Sequence, residues 1–405
     1  MSIDAVSLAD KHPAEVGDNL LRTEFALLSG AYLDVAARGP LPASAAAAAQ
    51  DVLHAQVTGK VPKADWLNMV NTARAAAATL LGASPEDLAF TKNVSEGLNI
   101  VAAALRLRRG DRIVVAPATE HPNNILPWIW QAQEHGAELV TISPTPDLPL
   151  EEAILVGLDS STRLVAVSAL DFATGRRTDL QVIGAACRAR GIFLLVDAAQ
   201  SAGVVADRLC DLPVDGWATA AQKGLLTPYG LGLLYVRREW AKQLRPVSLA
   251  RFSVDMNETH EAAGPDGGWQ LRDGAGRFEV GNYNYVAMAA LRASVELLLA
   301  FGLREVERRA FTAAAVLRSE LEALDIPVLP LPLERQSHIV SISDAQGSGH
   351  DSSEIGWVNS LSQALTAGNV VHSVRRGAVR LSTHVHVLPE TLELAIECIR
   401  SWRRR

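Results

Sequence analysis

The sequence predicts an α/β fold with a mainly parallel sheet, and three observations lead to that prediction. From about residue 75 to residue 236, short β-rich apolar runs alternate with helix-like segments. The runs are apolar at nearly every position, as in strands that are covered on both faces. The chain has 405 residues and is 48% hydrophobic, so it can bury a full core, and disordered and fibrous classes are excluded.

The individual elements follow from this alternation. Buried strands are predicted at Ile113–Val115, Leu139–Ile142, Leu164–Val167 and Phe193–Val196. Helices are predicted at Pro127–His135 and Leu180–Arg190, the second closed by Gly191. Ligands of such sheets bind beyond the carboxyl ends of the strands, so the loops after these strands are the predicted site.

The chain changes character after residue 250. A polar, turn-rich stretch from Ser253 to Arg277 predicts a long excursion or flap. The elements predicted beyond it are helices at Val286–Leu299 and Leu303–Leu324, and strands within Ile326–Ser343. We expect a large domain at 46–285 and a smaller α+β domain formed by 1–45 together with 286–405.

Composition and charge exclude several function classes. The formal net charge of −7 argues against a nucleic-acid-binding protein, which usually carries a basic patch. No secretory signal is recognised at the N-terminus, and no apolar run approaches the 18 or so residues of a membrane helix. The cysteines Cys187, Cys210 and Cys398 have no metal-ligand spacing, so no metal is expected. We therefore expect a soluble, cytoplasmic protein.

Lys223 is the most informative single residue. The chain has only six lysines against 32 arginines, and Lys223 lies among small and apolar residues in the segment Ala220–Leu225. Desolvation lowers the pKa of such an amine and makes it a nucleophile suited to a Schiff base. Upstream, Asp197 ends a buried strand, where a carboxylate is costly unless paired, and Gln200 follows three residues later. A lone aspartate there is also typical of a helix cap or a turn.

Two further loops carry polar groups with more than one interpretation. Asn93 and Ser95 can cap a helix whose free N–H groups would bind a phosphate, although many helices begin this way without a ligand. His121 follows the predicted strand at Ile113–Val115. It is either structural or stacks on a planar cofactor.

The order of these motifs resembles a known superfamily. A helix-start loop, a Glu-His loop, Val196–Gln200 and Gln222–Leu225 succeed one another as in the fold-type-I pyridoxal-phosphate enzymes, specifically the class V aminotransferase and cysteine-desulfurase-like superfamily. Three further segments match: Tyr32–Asp34 with Gly39-Pro40, Arg277–Asn282, and Val379–His384. The resemblance implies a large domain with a seven-stranded, mainly parallel sheet, a smaller α+β C-terminal domain, and pyridoxal 5'-phosphate as cofactor.

The resemblance also implies residue roles. Lys223 would attach to the cofactor and move the proton at the substrate α-carbon, while His121 would stack on the cofactor ring. Asp197 would keep the pyridine nitrogen protonated, and Gln200 would bind the ring oxygen. The remaining cofactor contacts are assigned to Asn93, Val94, Ser95, Gln222 and Asn282. Arg380, with Arg38, would bind the substrate, because a guanidinium fork suits a carboxylate. A homodimer is implied, with the segment around Asn282 facing the partner's cofactor.

The chain departs from the superfamily pattern in ways that affect the predicted reaction. Desulfurases carry a reactive cysteine shortly before the carboxylate-binding arginine, whereas His372–Arg380 is short and has none, so persulfide-forming desulfuration is not expected. Gln222 replaces a usual histidine, as in alanine–glyoxylate and serine–pyruvate aminotransferases. Ala220, Asn282 and Phe172 also differ from common residues, which leaves the details of the phosphate contacts open.

The predicted activity is chemistry on an amino acid or amino-acid conjugate through an external aldimine, either aminotransferase-like or C–S lyase (β-elimination). The sequence does not decide between these two reactions. The alternatives are an epimerase or a decarboxylating or oxidative deaminase of the same superfamily. An inert scaffold and a nucleotide-binding dehydrogenase are the alternatives from other classes. The presence of Lys223, Asp197, His121 and Arg380 together argues against the scaffold, and Gly230-Leu231-Gly232 lacks the third glycine of a dinucleotide site.

Overall fold

The computed structural model describes residues 13–60, 63–256 and 268–404. The strands in this part of the chain are β1 (Ala31–Tyr32), β2 (Leu88–Thr91), β3 (Arg112–Val115), β4 (Glu138–Thr141), β5 (Thr162–Ser168), β6 (Phe193–Asp197), β7 (Gly216–Ala220), β8 (Gly232–Val236), β9 (Val254–Met256), β10 (Trp269–Leu271), β11 (Ile339–Ile342), β12 (Val370–Val371), β13 (Ser373–Arg375) and β14 (Ala378–Ser382). The helices are α1 (Pro13–Glu24), α2 (Ala43–Thr58), α3 (Lys63–Leu81), α4 (Val94–Ala104), α5 (Leu126–His135), α6 (Leu150–Gly157), α7 (Leu180–Arg190), α8 (Arg238–Gln243), α9 (Tyr285–Phe301), α10 (Leu303–Ala323), α11 (Gly356–Ala367) and α12 (Pro389–Arg403).

A mainly parallel seven-stranded sheet forms the centre of the molecule, which confirms the predicted fold class. Its strand order is β2-β8-β7-β6-β5-β3-β4. The strands from β7 to β4 are parallel, whereas β8 runs antiparallel to both β7 and β2. The predicted strands and helices of this region are present, and Gly191 ends α7 in the left-handed conformation at φ 66°.

Both faces of this sheet are buried, because alternate residues of each strand enter different apolar cores. Along β5 and β6, Val165, Val167 and Leu194 belong to one core, while Leu164 and Phe193 belong to the other. This explains why the strands are apolar at nearly every position. The carboxyl ends of the parallel strands therefore form one accessible edge, where the connecting loops meet.

A third core lies around a three-stranded antiparallel sheet with the order β11-β14-β13. The N-terminal segment reaches this region, since β1 pairs with β12 and Leu33 belongs to the third core. The helix α9 contributes Leu291 and Leu298 to a core of the large sheet. The domain limits given above stay a prediction, and their residues 1–12, 61–62, 257–267 and 405 lie outside the described part.

Two segments of the second half of the chain differ in how far the structure describes what the sequence predicts. The stretch Ile326–Ser343 is mostly not strand, because only Ile339–Ile342 forms one. Its prolines Pro327, Pro330 and Pro332 cannot donate to a sheet ladder, which accounts for the irregular part. The polar stretch from Ser253 to Arg277 includes residues 257–267, which lie outside the described residues. The strands on either side of them, β9 and β10, pair antiparallel.

Among the described residues, no single helix has the length and apolar character needed to cross a membrane. The helices α9 and α10 meet that test only as a pair, with a bend of 82° between them.

Candidate active site

The predicted site residues come from loops at the carboxyl edge of the large sheet. Asp197 is the last residue of β6, and Lys223 follows the end of β7 by three residues. His121 lies in the loop between β3 and α5. Because β3, β6 and β7 are parallel members of one sheet, their following loops lie on the same side.

Lys223 has an unusual electrostatic environment. Its side chain is half-buried, and burial lowers the pKa of its amine from 10.5 to about 8. The carboxylate of Asp197 opposes this shift, whereas the guanidinium groups of Arg380 and Arg375 add to it. Lys223 therefore lies within electrostatic range of Asp197 and Arg380. With a pKa of about 8, roughly a tenth of the amine is neutral at pH 7.

Asp197 and Gln200 lie buried in the loop after β6. One oxygen of Asp197 accepts a hydrogen bond from the Ala199 N–H at 2.9 Å, and burial raises the pKa of its carboxyl group. The Gln200 Nε2 donates to the Ala36 carbonyl at 3.0 Å. The Gln200 Oε1 is buried and has no hydrogen-bond partner in the described ranges. A buried acceptor without a partner is costly, so this atom indicates a missing polar group at the site.

His121 is half-buried and packs against Phe172. The two ring centroids are 5.0 Å apart in an edge-to-face arrangement, and His121 Nδ1 accepts the Asn123 N–H at 3.2 Å. Burial, helped by the charge of Lys223, lowers the pKa of His121 to about 4. The imidazole is therefore neutral at physiological pH, which leaves a ring face suited to stacking.

The helix α4 begins after Asn93, which is one of the two capping residues that the sequence predicts. Asn93 is the N-cap, and its Oδ1 accepts the Glu96 N–H at 2.9 Å. The expectation that Ser95 also caps is wrong, because Ser95 lies inside the first helical turn and its carbonyl accepts from the Asn99 side chain. A phosphate role for Asn93, Val94 and Ser95 stays a prediction.

Arg380 is almost completely buried, at 1% exposure, and has three partners. Its Nε donates to Ser373 Oγ at 3.1 Å, Nη1 donates to the Phe172 carbonyl at 2.6 Å, and Nη2 lies 3.5 Å from Asp34 Oδ1. Burial lowers the pKa of Arg380 to about 10, although the adjacent Asp34 opposes that shift. The guanidinium is therefore held in one orientation.

Arg38 lies in the N-terminal segment that crosses the site. It is exposed, and it lines a cleft of about 380 Å³ together with Asp34, Ser373 and Arg375. The adjacent Gly39 donates its N–H to the Gln222 carbonyl at 2.7 Å. A Cβ at Gly39 would lie 2.3 Å from the Lys223 carbonyl oxygen, so this close approach requires glycine.

Three of the remaining predicted cofactor residues line a larger cleft. Asn93, Gln222 and Asn282 are lining residues of a cleft of about 850 Å³. Asn282 is exposed there. The charges of Asp197 and Arg380 thus act on Lys223, and the charge of Lys223 acts on His121. The structure places Asn93, Gln222 and Asn282 in the larger cleft. The roles of all these residues in binding stay predictions.

Asp34, Ser373 and Glu120 contact the site, and the sequence did not predict any role for them. Asp34 accepts the Ser373 hydroxyl at 2.9 Å, and it belongs to the matched segment Tyr32–Asp34, which was the available signal. Glu120 precedes His121 and is 2% exposed. It accepts the Ser168 N–H at 2.6 Å and the Asn124 amide at 2.8 Å, and burial raises its pKa to about 8.

The structure describes all three cysteines. The hairpin β13–β14, which carries Arg380, contains none. Cys187 is buried in α7, where burial raises the pKa of its thiol to about 12. Cys210 is exposed with its Sγ 3.4 Å from Asp211 Oδ1, and Cys398 Sγ in α12 donates to the Ala364 carbonyl.

The chain is similar to several known proteins. The family model "Aminotransferase class-V" matches residues 31–384. A probable cysteine desulfurase of Methanothermobacter thermautotrophicus is 32% identical over 255 residues, which cover 62% of this chain and 61% of that protein. The match thus spans less than two thirds of that relative's length. A probable cysteine desulfurase of Pyrococcus abyssi is 28% identical and covers 69% of this chain and 68% of that protein.

Two solved structures share the fold. The apo cysteine desulfurase of Thermococcus onnurineus NA1 is 24% identical with a TM-score of 0.80, and the match covers 93% of this chain and 95% of that one. A cystine C–S lyase in complex with its reaction product cysteine persulfide is 24% identical with a TM-score of 0.81, over 92% of this chain and 98% of that one. At this identity, these likenesses show the fold alone.

Proposed function

The chain belongs to the class-V aminotransferase family, and from that premise we propose that it is a pyridoxal-phosphate-dependent C–S lyase. Its substrate would be an L-amino acid that carries sulfur on the β-carbon. The observation that carries this proposal is the amine of Lys223, whose pKa is lowered by burial and which interacts electrostatically with both Asp197 and Arg380. An amine such as Lys223 can bind an aldehyde cofactor, a carboxylate such as Asp197 can face the ring nitrogen of that cofactor, and an arginine such as Arg380 can bind the carboxylate of an amino-acid substrate.

The residues present fit pyridoxal phosphate. The Gln200 Oε1 is a buried acceptor without a partner, which suits a hydroxyl on the cofactor ring. Lys223 would hold the cofactor covalently, Asp197 would face the ring nitrogen, and His121 would cover the ring. The N-terminus of α4 would hold the phosphate. When bound, the cofactor supplies an electron sink that stabilises negative charge at the substrate α-carbon.

Arg380 has the donor capacity to bind the substrate carboxylate. A guanidinium carries five N–H groups, and three of them are directed at Ser373, Phe172 and Asp34. One N–H therefore remains on each terminal nitrogen, which supports a bidentate contact with a carboxylate. Arg38, at the edge of the adjacent cleft, would add positive charge at the entrance.

Lys223 would move the α-proton. With its pKa lowered to about 8, its neutral amine can accept a proton near neutral pH and return it as an ammonium. Loss of the α-proton and cleavage of the Cβ–S bond release a thiol. Addition of water to the remaining unsaturated amino acid gives pyruvate and ammonia, so that R–S–CH2–CH(NH3⁺)–COO⁻ and water become RSH, pyruvate and ammonium.

The distribution of cysteines favours elimination over persulfide-forming desulfuration. Desulfuration that leaves sulfur on the enzyme needs a thiol at the substrate. The β13–β14 hairpin has no cysteine, and Cys187 is buried with a raised pKa. The relatives named as cysteine desulfurases support a cysteine-type substrate.

The proposed active form is a homodimer. The cleft that contains Asn93, Gln222 and Asn282 has exposed apolar side chains at its edge, Tyr229 at 63%, Val247 at 63% and Val280 at 44%. Contiguous exposed apolar groups are typical of interaction surfaces. Light scattering should give twice the chain mass of 43.3 kDa, and a monomer that keeps full activity at high dilution would contradict the proposal.

A product analysis tests the reaction. The protein loaded with pyridoxal phosphate is incubated with L-cystine, an S-alkyl-L-cysteine and L-alanine, and pyruvate, ammonia and thiol are measured, with Lys223→Ala as control. We expect equimolar pyruvate, ammonia and sulfur product from the two sulfur substrates only. Pyruvate from L-alanine that depends on an added keto acid would instead indicate an aminotransferase. L-Alanine as a product would indicate desulfuration, and absence of turnover would also overturn the proposal.

A further inference from the structure

The turn between β13 and β14 has an unusual residue in a strained position. Arg375 pairs with Ala378 across the hairpin, so the loop consists of Arg376 and Gly377 only. Both have positive φ, 47° for Arg376 and 72° for Gly377. Turns of this kind favour asparagine and glycine, because other side chains are strained in the left-handed region. Such strain at an arginine indicates a constraint on its side chain.

The guanidinium of Arg376 leaves the hairpin and contacts the loop that carries His121. Nη1 donates to the Ala118 carbonyl, and Nη2 donates to the Glu120 carbonyl at 3.0 Å. The Asp171 carboxylate lies 3.7 Å from Nη1. The guanidinium also lies over the ring of Phe172, 4.9 Å from its centroid. These contacts are charge-assisted hydrogen bonds and a cation–π contact, which are strong for side-chain interactions.

These contacts are made to neighbours of His121. The two carbonyls belong to residues just before His121 in the chain, and the Phe172 ring under the guanidinium packs edge-on against the imidazole. In the same loop, the carboxyl group of Glu120 accepts the Ser168 N–H at the end of β5. The His121 loop is therefore joined to the large sheet by Glu120 and to the hairpin by Arg376.

The same hairpin holds Arg380. Ser373 and Arg380 are opposite each other in β13 and β14, and the Ser373 hydroxyl accepts from Arg380 Nε. We propose that Arg376 is a positioning residue that joins the His121 loop to this hairpin, so that the imidazole and the Arg380 guanidinium keep a fixed relative placement. The consequence for catalysis rests on the proposed function, in which His121 covers the cofactor and Arg380 binds the substrate carboxylate.

Arg376→Asn tests the proposal with little risk to folding. Asparagine suits the left-handed turn better than arginine, and the turn keeps its backbone bonds, such as Gly347 N–H to the residue 376 carbonyl at 2.7 Å. The matched control is Arg375→Asn in the same hairpin. The Arg375 guanidinium contacts Asp351 and the Val374 carbonyl, both at 2.7 Å, and these lie outside the His121 loop.

The measurement is hydrogen exchange of the protein without added cofactor, followed in peptides that cover residues 116–125. Within this loop, the N–H groups of Thr119, Asn124 and Ile125 are hydrogen-bonded. Removal of two charge-assisted hydrogen bonds should accelerate their exchange roughly tenfold or more in Arg376→Asn. Exchange in Arg375→Asn should match the wild type. An unchanged rate in Arg376→Asn, or an equal acceleration in Arg375→Asn, would overturn the proposal.

A second measurement follows the loaded protein. Arg376→Asn should retain pyridoxal phosphate but show weaker circular dichroism in the cofactor absorption band, because that signal depends on how rigidly the ring is held. An unchanged band would overturn the catalytic consequence. If no variant and no wild-type protein captures the cofactor, the proposed function fails, whereas the exchange result still decides whether Arg376 holds the loop.

Discussion

Arg380 and Asp34 lie beside each other in the protein interior, with Arg380 Nη2 3.5 Å from Asp34 Oδ1. The two residues are 1% and 8% exposed. Burial lowers the pKa of Arg380 and raises the pKa of Asp34, and each charge reduces the shift of the other. A buried pair of this kind adds little net stability, because the desolvation of both charges offsets their attraction. Here it orients the guanidinium proposed to bind the substrate carboxylate.

The first prediction concerns this guanidinium. Arg380→Lys keeps the charge but cannot contact Ser373, Phe172 and Asp34 simultaneously, because an ammonium lacks the planar fork. We expect kcat/KM for a sulfur amino acid to fall by roughly 10²- to 10³-fold, mostly through misplacement of the substrate. The control is Arg292→Lys, at an exposed arginine that pairs with Glu296. Equal losses in both variants, or no loss in Arg380→Lys, would contradict this role.

The second prediction concerns the protonation of Lys223. Acetylation of the Lys223 amine in the cofactor-free protein, measured by mass spectrometry over pH 6 to 11, should show a midpoint near the pKa of about 8, instead of the ordinary 10.5. Asp197→Asn removes the negative charge that favours the ammonium form, so the midpoint should move to lower pH.

The matched control for the Lys223 titration is Asp147→Asn, because Asp147 is exposed. Its midpoint should equal that of the wild type. A midpoint that rises in Asp197→Asn, or a wild-type midpoint near 10.5, would show that the structure gives the wrong environment for Lys223.

The third prediction concerns His121. Because the imidazole is neutral above its pKa of about 4, stacking requires its ring and not its charge. His121→Phe should bind pyridoxal phosphate within about twofold of the wild type, and His121→Ala roughly five- to tenfold more weakly, as expected from loss of one aromatic contact. Fluorescence titration measures both values, with His54→Ala at an exposed position of α2 as control. Equal weakening by phenylalanine and alanine would exclude a stacking role.

The fourth prediction concerns the buried carboxyl group of Glu120. Its pKa is raised from 4.5 to about 8, so between these values the folded protein binds more protons than the unfolded chain. The stabilising effect of this group is complete below pH 4.5 and is lost as the pH rises through 8. Glu120→Gln does not titrate.

Urea unfolding of the cofactor-free protein at pH 5 and pH 8 tests this linkage. Relative to Glu120→Gln, the wild type should lose stability from pH 5 to pH 8, by an amount on the order of 1 to 4 kcal/mol. A difference between the two proteins that is independent of pH would contradict a raised pKa. The variant replaces one of the two oxygens that accept from Ser168 and Asn124 by an NH2 group, so it loses an acceptor at every pH. Only the change of stability with pH is therefore diagnostic.

Much of the large domain could be predicted because its signals are local. The apolar strands Leu164–Val167 and Phe193–Val196 have no other stable placement than the interior of a covered sheet. Lys223 and Asp197 were identifiable because an amine and a carboxylate are unusual beside buried strands. The irregular chain within Ile326–Ser343 was missed because its apolar residues suggested strands while its prolines prevented them.

The contacts that orient the site could not be predicted, because they join residues far apart in the chain. Asp34 and Arg380 are separated by 346 positions, and Arg376 and Ala118 by 258. The wrong assignment of Ser95 as a cap has a local cause, since both Asn93 and Ser95 are good capping residues and only one can precede the first turn. The left-handed conformation of Arg376 has no signal in the sequence beyond the glycine that follows it.

Covalent capture of the cofactor tests the central claim most directly. The protein is mixed with pyridoxal phosphate, reduced with borohydride, digested and analysed by mass spectrometry, with Lys223→Ala in parallel. We predict one pyridoxyl-phosphate adduct, on Lys223, in the wild type and none in the variant. Absence of an adduct, or an adduct on one of the other lysines that persists in Lys223→Ala, would contradict the account.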